Sequence, residues 1–356
     1  MTLTGRPDHA FWRGRRVFLT GHTGFKGAWA ALWLNAMGAE VFGFALPPET
    51  TPSLWDEIGS ELLVRETRAD LNHFEAVRDA VGTARPHIVL HMAAQALVRR
   101  SYADPIGTIA SNVLGTVHLL DALRARGQTE AALVVTTDKV YENNDMGRDF
   151  VEDDPLGGHD PYSASKAAAE LLTRSYASSF LEPAGIRTAT ARAGNVIGGG
   201  DWSADRLVPD AWRAARNGTP LRLRFPAATR PWQHVLEPLA GYFAYIEALV
   251  GKDGLPRALN FGPVPGDTMT VAQVADKLGE ALGTGQAWEQ DQGNHPAEMK
   301  LLSIDPALAR KAIGWAPRLD GRSAVDWTTR WYAAHGAGQS ARALCLGQIT
   351  EYEALP

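Results

Sequence analysis

Asp138 and Lys139 close the run Thr136-Thr137-Asp138-Lys139, and Tyr162-Ser-Ala-Ser-Lys166 begins 24 residues beyond Asp138. These are side chains that move protons. Tyr162 and Lys166 are four apart, a spacing that puts both on one face of a helix, where the ammonium can lie near the phenol and lower its pKa. A tyrosine base beside a threonine suits hydride transfer, and the Asp138-Lys139 pair points to a second proton-transfer task. Taken alone, Tyr-x-x-x-Lys is more often a surface helix pair. The elements around it decide the matter.

The run Ala131-Ala-Leu-Val-Val-Thr-Thr137 reads as a buried strand. It delivers Thr137, Asp138 and Lys139 to its carboxyl end, where ligands bind in open α/β sheets. Near the amino terminus, Arg16-Val-Phe-Leu-Thr20 reads as another strand and Gly21-His-Thr23-Gly24-Phe25-Lys-Gly27 as the turn after it. Gly21 permits the tight turn, Gly24 lets the backbone approach a pyrophosphate, and Gly27 lets the next helix lie close to the strand. Phe25, Ala28, Trp29, Leu32, Trp33 and Met37 recur at helical spacing, and Gly38 stops the helix before a second strand, Ala39 to Leu46. Strand, glycine turn, amphipathic helix and strand make a nucleotide-binding βαβ unit. The carboxylate expected at the second strand's end, about 20 residues past the glycines, is missing. Phe44-Ala-Leu-Pro-Pro48 stands there, so spacing leaves NAD and NADP open, and Glu49 reads as a solvated loop residue.

Further along, Pro86 to Met92 is a clear strand, followed by Ala93-Ala94-Gln95, small enough for a cofactor to approach. Asp70-Leu71 ends an earlier segment and reads equally as an adenine contact or a plain turn. Ser111-Asn112 opens an amphipathic helix, with Asn112 a candidate buried organiser. The alternation predicts an α/β protein built on a doubly wound parallel sheet of Rossmann type. It weakens after about residue 195, where Gly198-Gly-Gly200-Asp-Trp202 reads as a flexible, ligand-facing turn. The expected division is 1–193 plus 234–258 for dinucleotide binding. A smaller mixed α/β substrate domain takes 194–233 plus 259–356.

At 356 residues and 45% hydrophobic content the chain can bury a large core. A net charge of -5 with mixed signs gives no basic patch for nucleic acid. No apolar run reaches about 18 residues and no signal-peptide core begins the chain, so a cytoplasmic enzyme away from membranes is expected. One cysteine, Cys345, excludes an internal disulfide and is read as packing. The ten histidines show no close ligand spacing, so no metal is predicted. His91, at a strand end, reads as a packed, hydrogen-bonded residue.

Assembled, the chain resembles the extended short-chain dehydrogenase/reductase superfamily and, within it, the CDP-glucose 4,6-dehydratases. The residues that carry this are Val17 to Gly27, His91 to Gln95, Thr136 to Asn143 and Asp160 to Lys166. Further on come Ala193-Gly-Asn195-Val-Ile-Gly-Gly-Gly-Asp-Trp202, Arg230-Pro-Trp232-Gln-His-Val-Leu236, Trp327 to Tyr332 and Gln348 to Tyr352. The resemblance implies a redox-neutral dehydration of a nucleoside-diphosphate hexose, with NAD as cofactor and a homodimer or homotetramer as assembly. Hydride leaves carbon 4, the ketone acidifies carbon 5, water leaves from carbon 6, and the hydride returns there.

It further implies that Tyr162 removes the 4-hydroxyl proton, Lys166 tunes the tyrosine and holds the nicotinamide ribose, and Thr137 binds the sugar. Bringing a phenol from about 10 to about 7 takes roughly 4 kcal/mol, within reach of one cation plus the cofactor's positive ring. Asp138 and Lys139 match the positions given to elimination. As acid, Asp138 must hold a proton near pH 7; as base, Lys139 must lose one. Each opposes the other's shift while burial favours both, so either role, or an electrostatic one for Lys139, stays open. Asn195, Arg206 and Arg230 match grips on diphosphate and nucleoside, and Trp202 and Trp232 read as stacking platforms or core. An enzyme acting on another nucleoside-diphosphate hexose is the second reading. A non-catalytic dinucleotide sensor is the third, and it has no use for a tuned tyrosine.

Overall fold

The computed structural model describes residues 5–59, 62, 64–124, 128–143, 147–264, 266–284, 288–293 and 302–356. Its centre is a parallel sheet of β1 (Arg16–Thr20), β2 (Glu40–Ala45), β3 (Val64–Arg68), β4 (Ile88–His91), β5 (Ala131–Val135), β6 (Arg187–Ala193) and β7 (Ala258–Phe261). The order is β7-β6-β5-β4-β1-β2-β3, the doubly wound arrangement expected from the sequence. The strand order reverses between β1 and β4, which opens a crevice at their carboxyl ends. The division expected at residue 258 falls at the first residue of β7.

Both faces of this sheet are covered, which is why its strands read as nearly unbroken apolar runs. Side chains alternate across β1: Val17 and Leu19 enter one core, Phe18 the other. The first core takes α1 (Phe25–Ala36), and the second takes α2 (Phe74–Ala84) and α3 (Gly115–Arg124). Helix α4 (Pro161–Tyr176) also packs on α3. Helix α5 (Leu207–Asn217) lies beyond the sheet, α6 (Leu236–Gly251) packs on β5 and β6, and α7 (Val271–Ala281), α8 (Gly321–Gly336) and α9 (Ala341–Ala354) follow.

Helix α6 is buried along nearly its whole length, carboxylates included. Glu247 accepts from the Trp12 indole at 2.6 Å and from the Asp8 amide at 2.8 Å. Glu237 accepts from the Arg318 and Leu319 amides and, at 3.0 Å, from the Tyr352 hydroxyl. Burial lifts each to about 7, and the bonds tie both ends of the chain to the core.

Three departures from expectation have local causes. Ser111 does not open a helix: residues 105–124 are one helical run with a π-turn at Ala110–Leu114, which turns Asn112 inward to 1% exposure. That run is, by length and composition, the one described helix long and apolar enough to cross a membrane, where the residue count had suggested none. The turn at Gly198–Trp202 is buried rather than loose: a Cβ on Gly199 would lie 2.0 Å from the Trp331 ring.

Candidate active site

The glycine turn leaves β1 with Gly21 at φ +77, where a Cβ would stand 2.7 Å from the Ala93 amide nitrogen. A Cβ on Gly27 would stand 2.0 Å from the Gly21 carbonyl oxygen, so the first turn of α1 lies directly on the loop. Gly24 is exposed, and its missing Cβ would have nothing nearer than 3.5 Å. The loop is therefore closed on its inner side and open toward the crevice, as a pyrophosphate on a helix N-terminus requires. The crevice continues as one cleft of about 1370 Å³. Single-ligand pockets run to about 1,000 Å³, so there is room here for a dinucleotide and a second ligand together.

Gly21, Thr23, Gly24, Phe25, Gly27, Asp70, Leu71, Ala93, Ala94 and Gln95 all line this cleft. Asn112 stands behind its wall. Its side-chain oxygen accepts from the Gln95 amide at 2.8 Å, and its nitrogen donates to the Gln95 carbonyl and the Ser165 hydroxyl. It therefore organises the wall without facing the cleft. His91 is held between Thr20 and Thr116 at 2.7 and 3.0 Å, and burial pulls its pKa down to about 3. Glu49 pairs with Arg100 at 2.8 Å on the cleft rim.

Thr137, Asp138, Lys139, Tyr162 and Lys166 converge on the same cleft from two elements. Beyond β5, Thr137 is extended and starts a 3₁₀ turn over Asp138–Val140, its hydroxyl donating to Asp138 Oδ1 at 2.9 Å. Asp138 is 1% exposed, with Lys139 Nζ 3.7 Å from Oδ1. Its Oδ2 is buried with no hydrogen-bond partner among the described residues and lies where a Cβ on Gly194 would be 2.5 Å away. On the other side, the Asp160 side chain caps α4 by accepting from the Ser163 amide, and Pro161 occupies the first helical position. The cap puts Tyr162 in the first turn, and Lys166 follows one turn later.

The electrostatics of the pair differ from the expected depression. The protein's own groups push the Tyr162 phenol up to about 12: burial dominates, a hydrogen bond with Thr137 opposes it, Asp138 adds to it and Arg206 opposes it. Lys166 is lowered to about 8 by burial, against the pull of Glu170, and its Nζ donates to the Val135 carbonyl at 3.3 Å. Desolvation outweighs helical proximity here. The groups that work against the rise are the Thr137 hydroxyl and the Arg206 guanidinium.

On the far wall, Asn195, Trp202, Arg206 and Arg230 all reach the cleft. Arg206 is anchored on Asp201 Oδ2 at 3.0 Å, and Arg230 donates to the Thr229 carbonyl at 2.8 Å. Asn195 Nδ2 is a buried donor with no partner among the described residues. Trp202 is only 7% exposed and packs edge-on against Trp331 and Tyr332, so most of its ring is core. The indole of Trp232 is likewise tied back, to the Met269 carbonyl at 3.1 Å. Lys26 was given no role from sequence, yet it lines the cleft and is lowered to about 7 by burial and then by Arg206 and Lys166. Its place inside the glycine turn was the available signal. Among the described residues no three His, Cys, Asp or Glu side chains gather as a metal-ligand set.

A doubly wound sheet, a glycine turn at its first crossover and a Thr/Tyr/Lys cluster across one cleft define an extended short-chain dehydrogenase/reductase. Residues 18–327 match the family model described as GDP-mannose 4,6 dehydratase, and the chain belongs to that family. It is 42% identical over 351 residues to a CDP-glucose 4,6-dehydratase of Salmonella typhimurium, covering 97% of this chain and 98% of that one. The fold is shared with solved structures, among them these two. One is the epimerase Mth375 of Methanothermobacter thermautotrophicus, with TM-score 0.79, 21% identity, and coverage of 92% of this chain and 95% of that one. The other is DesIV, a dTDP-glucose 4,6-dehydratase of Streptomyces venezuelae, with TM-score 0.78, 22% identity, and coverage of 92% and 99%.

Proposed function

We propose that the chain is an NAD-dependent hydro-lyase that converts CDP-D-glucose to CDP-4-dehydro-6-deoxy-D-glucose, feeding deoxysugar biosynthesis in the cytoplasm. The observation that carries the reading is near-full-length 42% identity to a CDP-glucose 4,6-dehydratase. The cluster of Thr137, Asp138, Lys139, Tyr162 and Lys166 on one cleft supports it. In this reading 1–193 plus 234–258 serve the dinucleotide and 194–233 plus 259–356 the nucleotide sugar.

NAD, when bound, supplies the acceptor that takes hydride from carbon 4, a positive ring, and the donor that returns hydride to carbon 6. The glycine turn, Asp70, Leu71, Ala93, Ala94 and Gln95 would hold it, and Lys166 would hold its nicotinamide ribose. Tyr162, hydrogen-bonded with Thr137, takes the proton of the 4-hydroxyl. Asp138, with one buried and unengaged oxygen, gives a proton to the hydroxyl that leaves carbon 6 as water. Lys139 removes the carbon 5 proton and gives one back there as hydride adds to carbon 6. Arg206, Arg230 and Asn195 hold the diphosphate and nucleoside, and cations beside a dianion also raise its local concentration.

Incubating the protein with CDP-, dTDP-, UDP- or GDP-glucose and NAD tests the reading by mass spectrometry. CDP-glucose alone loses one water efficiently, with no net reduced cofactor. Reduced cofactor rising in step with product would overturn the internal hydride return. Efficient loss of water from another of the four would transfer the reading to that nucleotide.

The assembly we propose is a homodimer. Ile106 and Ile109 are 81% and 51% exposed on the helical run that leads into α3, and Leu171 is 53% exposed on α4, which packs against it. An apolar strip on two neighbouring helices suits a two-fold, self-complementary contact. Light scattering after size exclusion should give twice the chain mass, and Ile106→Glu should give one. A monomeric wild type at micromolar concentration defeats the proposal.

A further inference from the structure

Below Lys166, α4 carries a second charged side chain on the same stripe. Glu170 is 2% exposed and accepts four hydrogen bonds: Thr136 and Thr190 hydroxyls at 2.5 and 2.6 Å, and Arg192 Nε and Nη2 at 3.0 Å each. Arg192 is itself fully buried, and its Nη1 donates to the Tyr141 hydroxyl at 2.7 Å and the Glu152 carbonyl at 3.1 Å. Tyr141 passes the chain to Asn260 at 2.7 Å. Thr136 immediately precedes Thr137, and Lys166 donates to the carbonyl of Val135 just before it. The carboxylate therefore stands beneath both halves of the reactive cluster.

We infer that Glu170, clamped by Arg192, is a positioning residue: its fixed charge keeps Lys166 an ammonium in a dry site, and its bond to Thr136 locks α4 to the end of β5. The inference rests on the reading of Lys166 given above. The charges that face Lys166 leave this work to Glu170. Across the cleft Lys26 opposes the ammonium, and His91 at the end of β4 is held neutral by burial. Tyr162 is an uncharged phenol before reaction. Glu170 is the group that raises Lys166 against its burial. A fully charged pair suits this place because the guanidinium fork satisfies the carboxylate without giving it a proton.

The sign of the effect follows. Neutralising Glu170 removes the support for the charged amine, so Lys166 loses its proton at lower pH. Glu170→Gln alone strands a buried guanidinium, so the informative variant is Glu170→Gln with Arg192→Met, which removes both charges at near-constant volume. With ¹³C-labelled lysine, seven lysines give a countable spectrum, and Lys166→Arg assigns the resonance. Wild-type Lys166 should titrate near 8, and the double variant about one unit lower. The basic limb of single-turnover carbon 4 oxidation should move the same way, with the NAD dissociation constant within about threefold. Superimposed titrations in two folded proteins refute the inference, as does a wild-type Lys166 already neutral at pH 7, whether or not the double variant folds. Failure of the dehydratase reading would show instead as no oxidation in the wild type, with the lysine titration unaffected.

Discussion

Tyr162→Phe should lower turnover by about 10²–10⁴-fold, the range over which positioned proton transfer contributes, while NAD binding stays within a few-fold of wild type. The substitution removes one oxygen from a side chain that is 7% exposed and leaves the ring to fill its place on α4 beside Thr137. The glycine turn, proposed to grip the dinucleotide, is built on β1 and α1 and does not depend on that hydroxyl. The protein's own groups hold the phenol near 12, because burial outweighs the Thr137 hydrogen bond and the Arg206 charge. Steady-state kinetics with CDP-glucose and calorimetric NAD titration check the two halves. Turnover retained within tenfold would dismiss Tyr162 as the base.

The second large effect separates oxidation from elimination. Asp138→Asn keeps the shape that accepts the Thr137 hydroxyl bond but cannot donate a carboxylic proton to the leaving hydroxyl. Overall turnover should therefore fall by about 10²-fold or more, while carbon 4 is still oxidised, so reduced cofactor and a 4-keto-glucose nucleotide build up in a single turnover. Lys139→Met should trap the same species and also slow exchange of the carbon 5 proton with deuterated water. Rapid-quench mass spectrometry and absorbance of the reduced nicotinamide read both. Normal exchange with blocked water loss in Lys139→Met would leave the lysine an electrostatic role. An Asp138→Asn protein that binds NAD and forms no reduced cofactor would mean that the aspartate acts before hydride transfer, by orienting the sugar.

The dinucleotide half was open to reading because its signals are local. A turn that needs Gly21 at positive φ, a helix that must lie against Gly27 and a buried strand ending at Val135 are each specified within a few residues. The sugar side was harder. Trp202 carries an obvious functional reading in a glycine-rich turn, yet its ring packs on Trp331 and Tyr332 from α8, some 130 residues away. The Gly198–Gly200 run likewise signals mobility in sequence and serves close packing in the fold. The π-turn that draws Asn112 inward has no signature in residue spacing, since its pattern is that of a helix about to begin.

Strands β1, β2, β4 and β5, the glycine cradle, the helix stripe of Tyr162 and Lys166 and the strand-end Thr137-Asp138-Lys139 are legible in the chain, because period, turn chemistry and capping act over short stretches. The charges those residues feel come from the fold. Tyr162 lies next to a lysine in sequence terms, but its phenol is raised because burial costs the anion more than helical proximity returns. Lys26, Arg206 and Lys166 reach one cleft from three separate segments, and Glu170 meets Thr136, Thr190 and Arg192 only once α4 is laid across β5 and β6. Desolvation and Coulomb terms depend on distance through the folded molecule, and spacing along the chain carries no record of that distance.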